Sequence, residues 1–186
     1  SCCSNWSYDI LDTRCRLVFE GNDFIDFSTS TLGSISQDFT FSFWLKVKSA
    51  NGTIVDRAND DVGSLYELAV TDWSLHWMTR DNGGENYHNY SNYVFPENEW
   101  VYVTTQIEDE VAKRLFINGE LITDLPAFNV NLDFPNMRFG GNGLDMEVYD
   151  ISLYNEVLSI NEILDDMNSN EPESNSANIY GYWGLF

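Results

Sequence analysis

Residues Glu99–Thr123, EWVYVTTQIEDEVAKRLFINGELIT, limit the fold of this chain more than any other stretch. From Trp100 to Ile107, Val101, Val103 and Ile107 share one face, and Trp100, Tyr102, Thr104 and Gln106 share the other. A period of two belongs to a strand, whose successive side chains point to opposite sides. The charged run Glu108–Lys113 reads as a turn and Arg114–Ile117 as a second strand. Asn118-Gly119 then sits between apolar runs. Both residues of a tight hairpin turn need positive φ, which Asn and Gly tolerate best. Glu120–Thr123 is the return strand. Such an antiparallel meander is stable only when one face is buried against a second layer.

The same period recurs elsewhere. Phe39, Phe41, Phe43, Leu45 and Val47 share a face opposite Thr40, Ser42, Trp44 and Lys46, which predicts a central strand. Leu17–Phe27 reads as a strand pair broken by a tight turn at Glu20–Asp23, and Thr53–Asp56 continues the sheet. Leu65–Val70 and Leu75–Thr79 form a hairpin around Thr71–Ser74. Arg80–Asn92 is polar and reads as a long loop or irregular hairpin, Leu125–Met137 as irregular, and Arg138–Gly143 as a Gly-rich turn into a strand at Glu147–Tyr154. One short helix is expected from Ser159, because Ser159 and Glu162 make a capping box and Ile160, Ile163, Leu164 and Met167 recur at helical spacing. The prediction is one all-β domain over residues 1–186, with an N-terminal arm at 1–14, an acidic linker at 168–178 and a closing strand at 179–186.

Charge narrows the function. A net charge of −21 argues against nucleic acid and anionic membrane surfaces, permits cation binding, and otherwise serves solubility. No apolar run approaches a membrane span. The opening residues do not read as a leader, so the sequence is taken as a mature or excised form. Cys15 is expected to bridge Cys2 or Cys3, leaving the other for an intermolecular disulfide. With sequons at Asn5, Asn51 and Asn89, the cysteines favour an extracellular or cell-surface setting.

Four segments carry a family resemblance: NEWVYVTT with RLFINGELI, CRLVFEGNDFIDF (Cys15–Phe27), FTFSFWLKV followed by GTIVDR, and VYDISLYNEVLSINEI (Val148–Ile163). In this order they resemble laminin-G-like and pentraxin-like domains of the concanavalin-A-like jelly-roll superfamily, over roughly residues 15 to 167. The resemblance implies a two-sheet antiparallel jelly-roll sandwich and says little about the ligand. IYGYWGLF (Ile179–Phe186) looks like that family's late strand. The resemblance also implies a structural calcium near the Gly21 carbonyl, Asp23 and a late acid. Here Tyr149 stands where the first late Asp usually falls, and Asp150 follows. A second candidate set of calcium ligands is the loop Asn59, Asp60 and Asp61 with Asp81, since hard cations take several oxygens.

Catalysis is not expected. The β-glucan-hydrolysing branch of that superfamily alternates carboxylates along one strand, in position to act as acid and nucleophile. Here Asp145 and Glu147 share a face but Asp150 falls on the other, and Glu108–Glu110 lies in a turn. The histidines, His76 and His88, do not have metal-pair spacing. The leading ligand candidate is Arg80–Tyr93. Tyr87, His88, Tyr90 and Tyr93 offer ring faces to a sugar, and Arg80, Asn82, Asn86 and Asn89 offer polar groups to its hydroxyls, with Trp73 and Trp77 just before. The competing expectation is that these rings pack on the sheet below. The function read from the sequence is non-enzymatic recognition: glycan binding with calcium assistance, or alternatively contact with a cell-surface or matrix protein, or self-association, without a sugar site.

Overall fold

The computed structural model describes residues 6–9, 12–28, 38–59, 63–81, 84–127, 136–169 and 179–183. The chain runs through β1 (Trp6–Asp9), β2 (Asp12–Phe19), β3 (Phe24–Ser28), β4 (Phe39–Val47), β5 (Asn51–Asn59), β6 (Gly63–Thr71) and β7 (Ser74–Arg80). It continues with β8 (Asn86–Val94), β9 (Trp100–Glu108), β10 (Ala112–Ile117), β11 (Glu120–Leu125), β12 (Asn136–Gly140), β13 (Met146–Tyr154), α1 (Ile160–Asn168) and β14 (Ile179–Trp183). The strands form two antiparallel sheets. The larger has the order β1-β2-β13-β4-β9-β10-β11, with β14 also on β13, and the smaller β3-β12-β5-β6-β7-β8. This is the expected all-β, two-sheet jelly-roll sandwich with one short helix. Among the described residues no helix is long and apolar enough to cross a membrane.

The core lies between the sheets and is built from the alternating positions. Phe39, Phe41, Phe43, Leu45 and Val47 on β4 and Val101, Val103 and Ile107 on β9 are all at most 4% exposed. The Asn118-Gly119 turn has both residues at positive φ. Asn118 holds it twice: its N–H donates to the Tyr102 carbonyl, and its Oδ1 accepts the Tyr102 N–H, each at 2.8 Å.

The outer face of the larger sheet is covered at one end by α1. Ser159 Oγ accepts the Glu162 N–H at 3.4 Å, and Glu162 Oε2 accepts the Ser159 N–H at 2.7 Å, closing the capping box. Ile163 is fully buried beside Tyr102, Phe116, Tyr154 and Leu158. The Tyr102 and Tyr154 hydroxyls both donate to the Asp166 carboxylate at 2.7 Å. Burial raises the Asp166 pKa, against the pull of those two hydrogen bonds.

Several local expectations are corrected. Glu20–Asp23 does not join a strand pair: β2 belongs to the larger sheet and β3 to the smaller, so the turn carries the chain between layers. The N-terminal arm contains β1, which pairs antiparallel with β2. Cys15 lies in β2, while Cys2 and Cys3 lie outside the described residues. Arg138–Gly140 is not turn but part of β12, paired with both β3 and β5. Lys113 is not in a turn either: the turn is Asp109–Val111, and β10 begins at Ala112. β14 pairs with β13, Ile151 facing Trp183.

Candidate recognition site at the edge of the smaller sheet

The polar stretch expected as a loop or irregular hairpin forms strand β8, at the edge of the smaller sheet. Its tyrosines suit a pleated, half-exposed surface, and its backbone pairs with β7. Asp81 braces the turn between the two strands: Oδ1 accepts the Glu85 N–H at 2.9 Å and Oδ2 accepts the Tyr87 hydroxyl at 3.1 Å. Register then decides which way each side chain faces. Arg80 pairs with Asn86 and Met78 with His88 on the outer face, while Thr79 pairs with Tyr87 and Trp77 with Asn89 on the face toward the larger sheet.

On the outer face the Arg80 Nε donates to Asn86 Oδ1 at 2.8 Å. His76 Nε2 and His88 Nδ1 lie 3.1 Å apart with rings stacked at 7°. One proton between two nitrogens satisfies that contact. Burial first, then the His88 and Lys113 charges, hold His76 below the usual histidine range. Cross-strand pairing extends the row from His88 and Met78 to Glu67, Asp56, Arg138 and Asp26. Arg138 grips Asp26 through two bonds of 2.6 and 2.8 Å. Six strands at about 4.8 Å spacing make this row roughly 24 Å long. Asp26, Asp56, Glu67 and Arg138 do not stand out in the sequence as members of one row, because their alignment depends on pairing between distant segments. The available signal was their position opposite the buried residues of each strand.

On the inner face, Trp77 corrects the sequence assignment. It is 2% exposed and meets Tyr66 edge-on, so it belongs to the core and has no face for a ligand. Tyr93 is half-buried and packs at 90° on Phe95, with centroids 5.3 Å apart. Burial, and then the Glu99 charge, raise its pKa. Tyr87, Thr79 and Asn89 instead line a crevice of about 150 Å³ with Lys113, Leu125, Pro126 and Ala127. Asn89 Nδ2, the atom a glycan would join at that sequon, is buried with no hydrogen-bond partner. The backbone of Tyr90 lies in β8, and Asn82 lies outside the described residues. A larger cavity of about 490 Å³ beside α1 is walled by Glu156, Glu162, Asp165 and Asp166. Both Asp166 oxygens there already accept tyrosine hydroxyls.

The candidate metal ligands that lie among the described residues, Asp23, Asp81 and Asp150, are spread out. Asp23 closes the β2–β3 turn, its Oδ2 accepting the Glu20 N–H at 3.4 Å. The late acid that reaches this turn is Asp145, whose Oδ1 accepts the Gly21 N–H at 2.6 Å. Asp150 sits four residues beyond Met146, which pairs with Phe19, and so about 13 Å further along the strand. Asp60 and Asp61 lie outside the described residues, and Asp81 is engaged in its turn. Among the described residues no three His, Cys, Asp or Glu side chains gather as a metal site.

Comparison with known proteins places this geometry. A family model described as the concanavalin A-like lectin/glucanases superfamily matches residues 19–164. Botulinum neurotoxin type F of Clostridium botulinum is 29% identical over 176 residues, covering 81% of this chain and 13% of the toxin. The receptor binding domain of the botulinum neurotoxin C/D mosaic serotype superposes with a TM-score of 0.71 at 18% identity, covering 90% of this chain and 45% of that one. The binding domain of botulinum neurotoxin DC, solved in complexes with rat synaptotagmin II and with SialylT, gives 0.70 and 0.71 at 18% identity. Those two matches cover 88% of this chain and 45% and 44% of theirs. At such identities the likeness is one of fold, and this chain spans less than half of each of those domains.

Proposed function

The chain belongs to the concanavalin A-like lectin/glucanases superfamily, and from that premise we propose that it is a non-enzymatic extracellular module that recognises cell-surface glycans through the β7–β8 edge. The observation that carries this reading is the register of β7 with β8. It sets Arg80, Asn86, His76 and His88 side by side on one face. Asn86 and His88 are exposed while His76 is buried behind them, and donors on a rigid strand pair suit sugar hydroxyls better than a mobile loop would. The complexes of the botulinum DC binding domain with SialylT and synaptotagmin II support recognition of cell-surface partners.

The proposed module is without catalysis, and the surroundings of the carboxylates on β13 and its approach support this. Asp145 accepts a backbone N–H of Gly21, and Glu147 is held by three cations. Neither carboxylate stands ready as an acid or nucleophile across a glycosidic bond.

A glycan array with the wild-type chain and the Arg80→Ala and His88→Ala variants tests the site. The expected result is retention of a restricted glycan set, weakened at least tenfold in each variant at unchanged melting temperature. A tenfold loss corresponds to about 1.4 kcal/mol. Equal binding by all three proteins would remove the β7–β8 face from the site. A second reading, contact with a cell-surface protein or a second copy, is favoured by the position of β8. Among the described residues it pairs on one side only, so it offers its other backbone side for strand addition. An empty array with a protein partner that competes with a β8 peptide would replace the glycan reading by this one.

Calcium assistance belongs to the same proposal through Asn59, Asp60, Asp61 and Asp81. Carboxylates brought close together would repel unless a cation neutralised them, and a bound ion would stabilise the native state by mass action. Extracellular sites bind at about 10⁻⁴ to 10⁻³ M. Millimolar calcium, but not magnesium, is therefore expected to raise the melting temperature, and Asp60→Asn with Asp61→Asn should abolish the rise. An identical melting temperature in chelator would take the metal out of the proposal.

A further inference from the structure

Strand β10 sends Lys113, Leu115 and Ile117 toward the opposite sheet, and all three are at most 4% exposed. Leu115 and Ile117 belong to the core by their chemistry; Lys113 does not. Burying an ammonium is costly unless an anion accompanies it. The Lys113 Nζ donates to Thr79 Oγ1 at 3.0 Å and to the Tyr87 carbonyl at 3.5 Å, and lies 4.7 Å from the Trp77 ring. These partners are neutral. Burial alone brings its pKa down to about 7.

Among the described residues, the charged and titratable groups around Lys113 leave it without an anion. On β7, His76 feels the lysine's charge and has its own pKa lowered by it. On β8, the Tyr87 hydroxyl donates outward to Asp81. Arg114 on β10 takes both Glu108 of β9 and Asp124 of β11. Beside Lys113, the Asn89 Nδ2 is buried and has no acceptor. Both residues line the same crevice, about 150 Å³, whose remaining walls include Leu125, Pro126 and Ala127. The crevice therefore holds one positive charge and one unused N–H donor, and what it lacks is a singly charged acceptor with an apolar flank.

Resting on the glycan-binding reading, we propose that this crevice receives the carboxylate of an acidic sugar, with Lys113 Nζ as its charge partner and Asn89 Nδ2 as its second donor. Size and charge select this class. The volume equals about five water molecules at about 30 Å³ each and falls below the roughly 300 Å³ of a drug-sized pocket. It admits a carboxylate and the carbons next to it, with the rest of the sugar outside. One ammonium balances one carboxylate, whereas a phosphate dianion would bring excess negative charge into a low-dielectric site.

The test titrates the wild-type chain with N-acetylneuraminic acid and with glucuronic acid at pH 6 and pH 8, reading amide NMR shifts of Tyr87 to Asn89 and of Ala127. Galactose is the neutral control and acetate the carboxylate alone. The carboxylate binds the ammonium form, so binding opposes loss of the lysine proton and affinity falls as pH rises through its pKa. At least one acidic sugar is expected to saturate these shifts, about tenfold more weakly at pH 8 than at pH 6, with no response to galactose. Lys113→Met should lose the response while melting at or above the wild-type temperature, because it removes an unpaired buried charge. Saturable binding that survives in Lys113→Met, or is equal at both pH values, would overturn the proposal. So would acetate binding with no response to either sugar acid, which would remove the sugar as the source of the carboxylate. If the acids fail while an array retains neutral glycans, this inference falls and the glycan-binding reading stands; an empty array sinks that reading instead.

Discussion

Phe43→Asp is expected to leave the chain without a cooperative unfolding transition. Phe43 is fully buried in the middle of β4, between β13 and β9. Its ring lies 5.1 Å from Phe41 and 5.6 Å from Phe139, centroid to centroid. Phe139 comes from β12 of the smaller sheet, so this contact joins the two layers. Losing a buried Phe costs about 3–5 kcal/mol. A carboxylate placed there has no partner, and its burial adds several kcal/mol more. Domains of this kind have only about 5–15 kcal/mol of stability in all. Phe43→Leu keeps the site apolar and should cost about 1–2 kcal/mol. Urea unfolding followed by tryptophan fluorescence and circular dichroism separates the two variants. A Phe43→Asp protein that unfolds cooperatively within about 2 kcal/mol of wild type would contradict this account of the core.

The parts of the fold that were legible in the sequence are those fixed by local chemistry. The alternation in β4 and β9 announces strands because burial of one face needs a period of two. Asn118-Gly119 announces its turn through positive φ, and Ser159 with Glu162 announces the start of α1 through reciprocal capping. What was not legible depends on pairing between distant segments. β8 looks like a loop because Asn, His and Ser dominate its polar positions, yet hydrogen bonding to β7 makes it a strand. Trp77 and Tyr87 look equivalent as aromatic ligands and share the inward face, but the inner strand β7 buries one and the edge strand β8 leaves the other at a crevice. Lys113 sits in a charged run, and only the opposite sheet reveals that it points inward. Gly52 carries a similar lesson. Its φ is +142°, and a Cβ there would stand 2.5 Å from the Leu144 backbone nitrogen, a constraint set by a residue far along the chain.

Glu147→Leu is expected to destabilise the protein by about 3 kcal/mol at neutral pH, the lower end of what breaking a buried charge pair costs. Glu147 lies on β13 with its side chain 5% exposed. Arg16 Nε approaches its Oε2 at 2.5 Å, Lys46 Nζ is 3.4 Å from the same oxygen, and Lys48 pairs with Oε1. Lys46 is its direct neighbour on β4, and Arg16 reaches it from β2, so the carboxylate ties three segments of the larger sheet together. Without it, three cations face one another in a place largely shielded from water. Lys48 is a third exposed and can turn outward, which places the cost at the lower end. Glu147→Gln keeps the shape and removes the charge, so it isolates the electrostatic part. Burial raises the Glu147 pKa, but the Lys48 hydrogen bond and the Lys48, Lys46 and Arg16 charges lower it further, leaving it below the ordinary range. A carboxylate with a depressed pKa stabilises the folded state fully above its unfolded value, about 4.3, and that contribution is lost as pH falls through the folded value. Asp166 works in the opposite sense: its raised pKa favours folding when protonated, and that gain disappears as pH rises through the folded value. The difference in unfolding free energy between wild type and Glu147→Gln should therefore be constant near neutrality and shrink below about pH 4. Equal stability of the two proteins at pH 7, within about 0.5 kcal/mol, would mean that the three cations are solvated well enough to need no counterion.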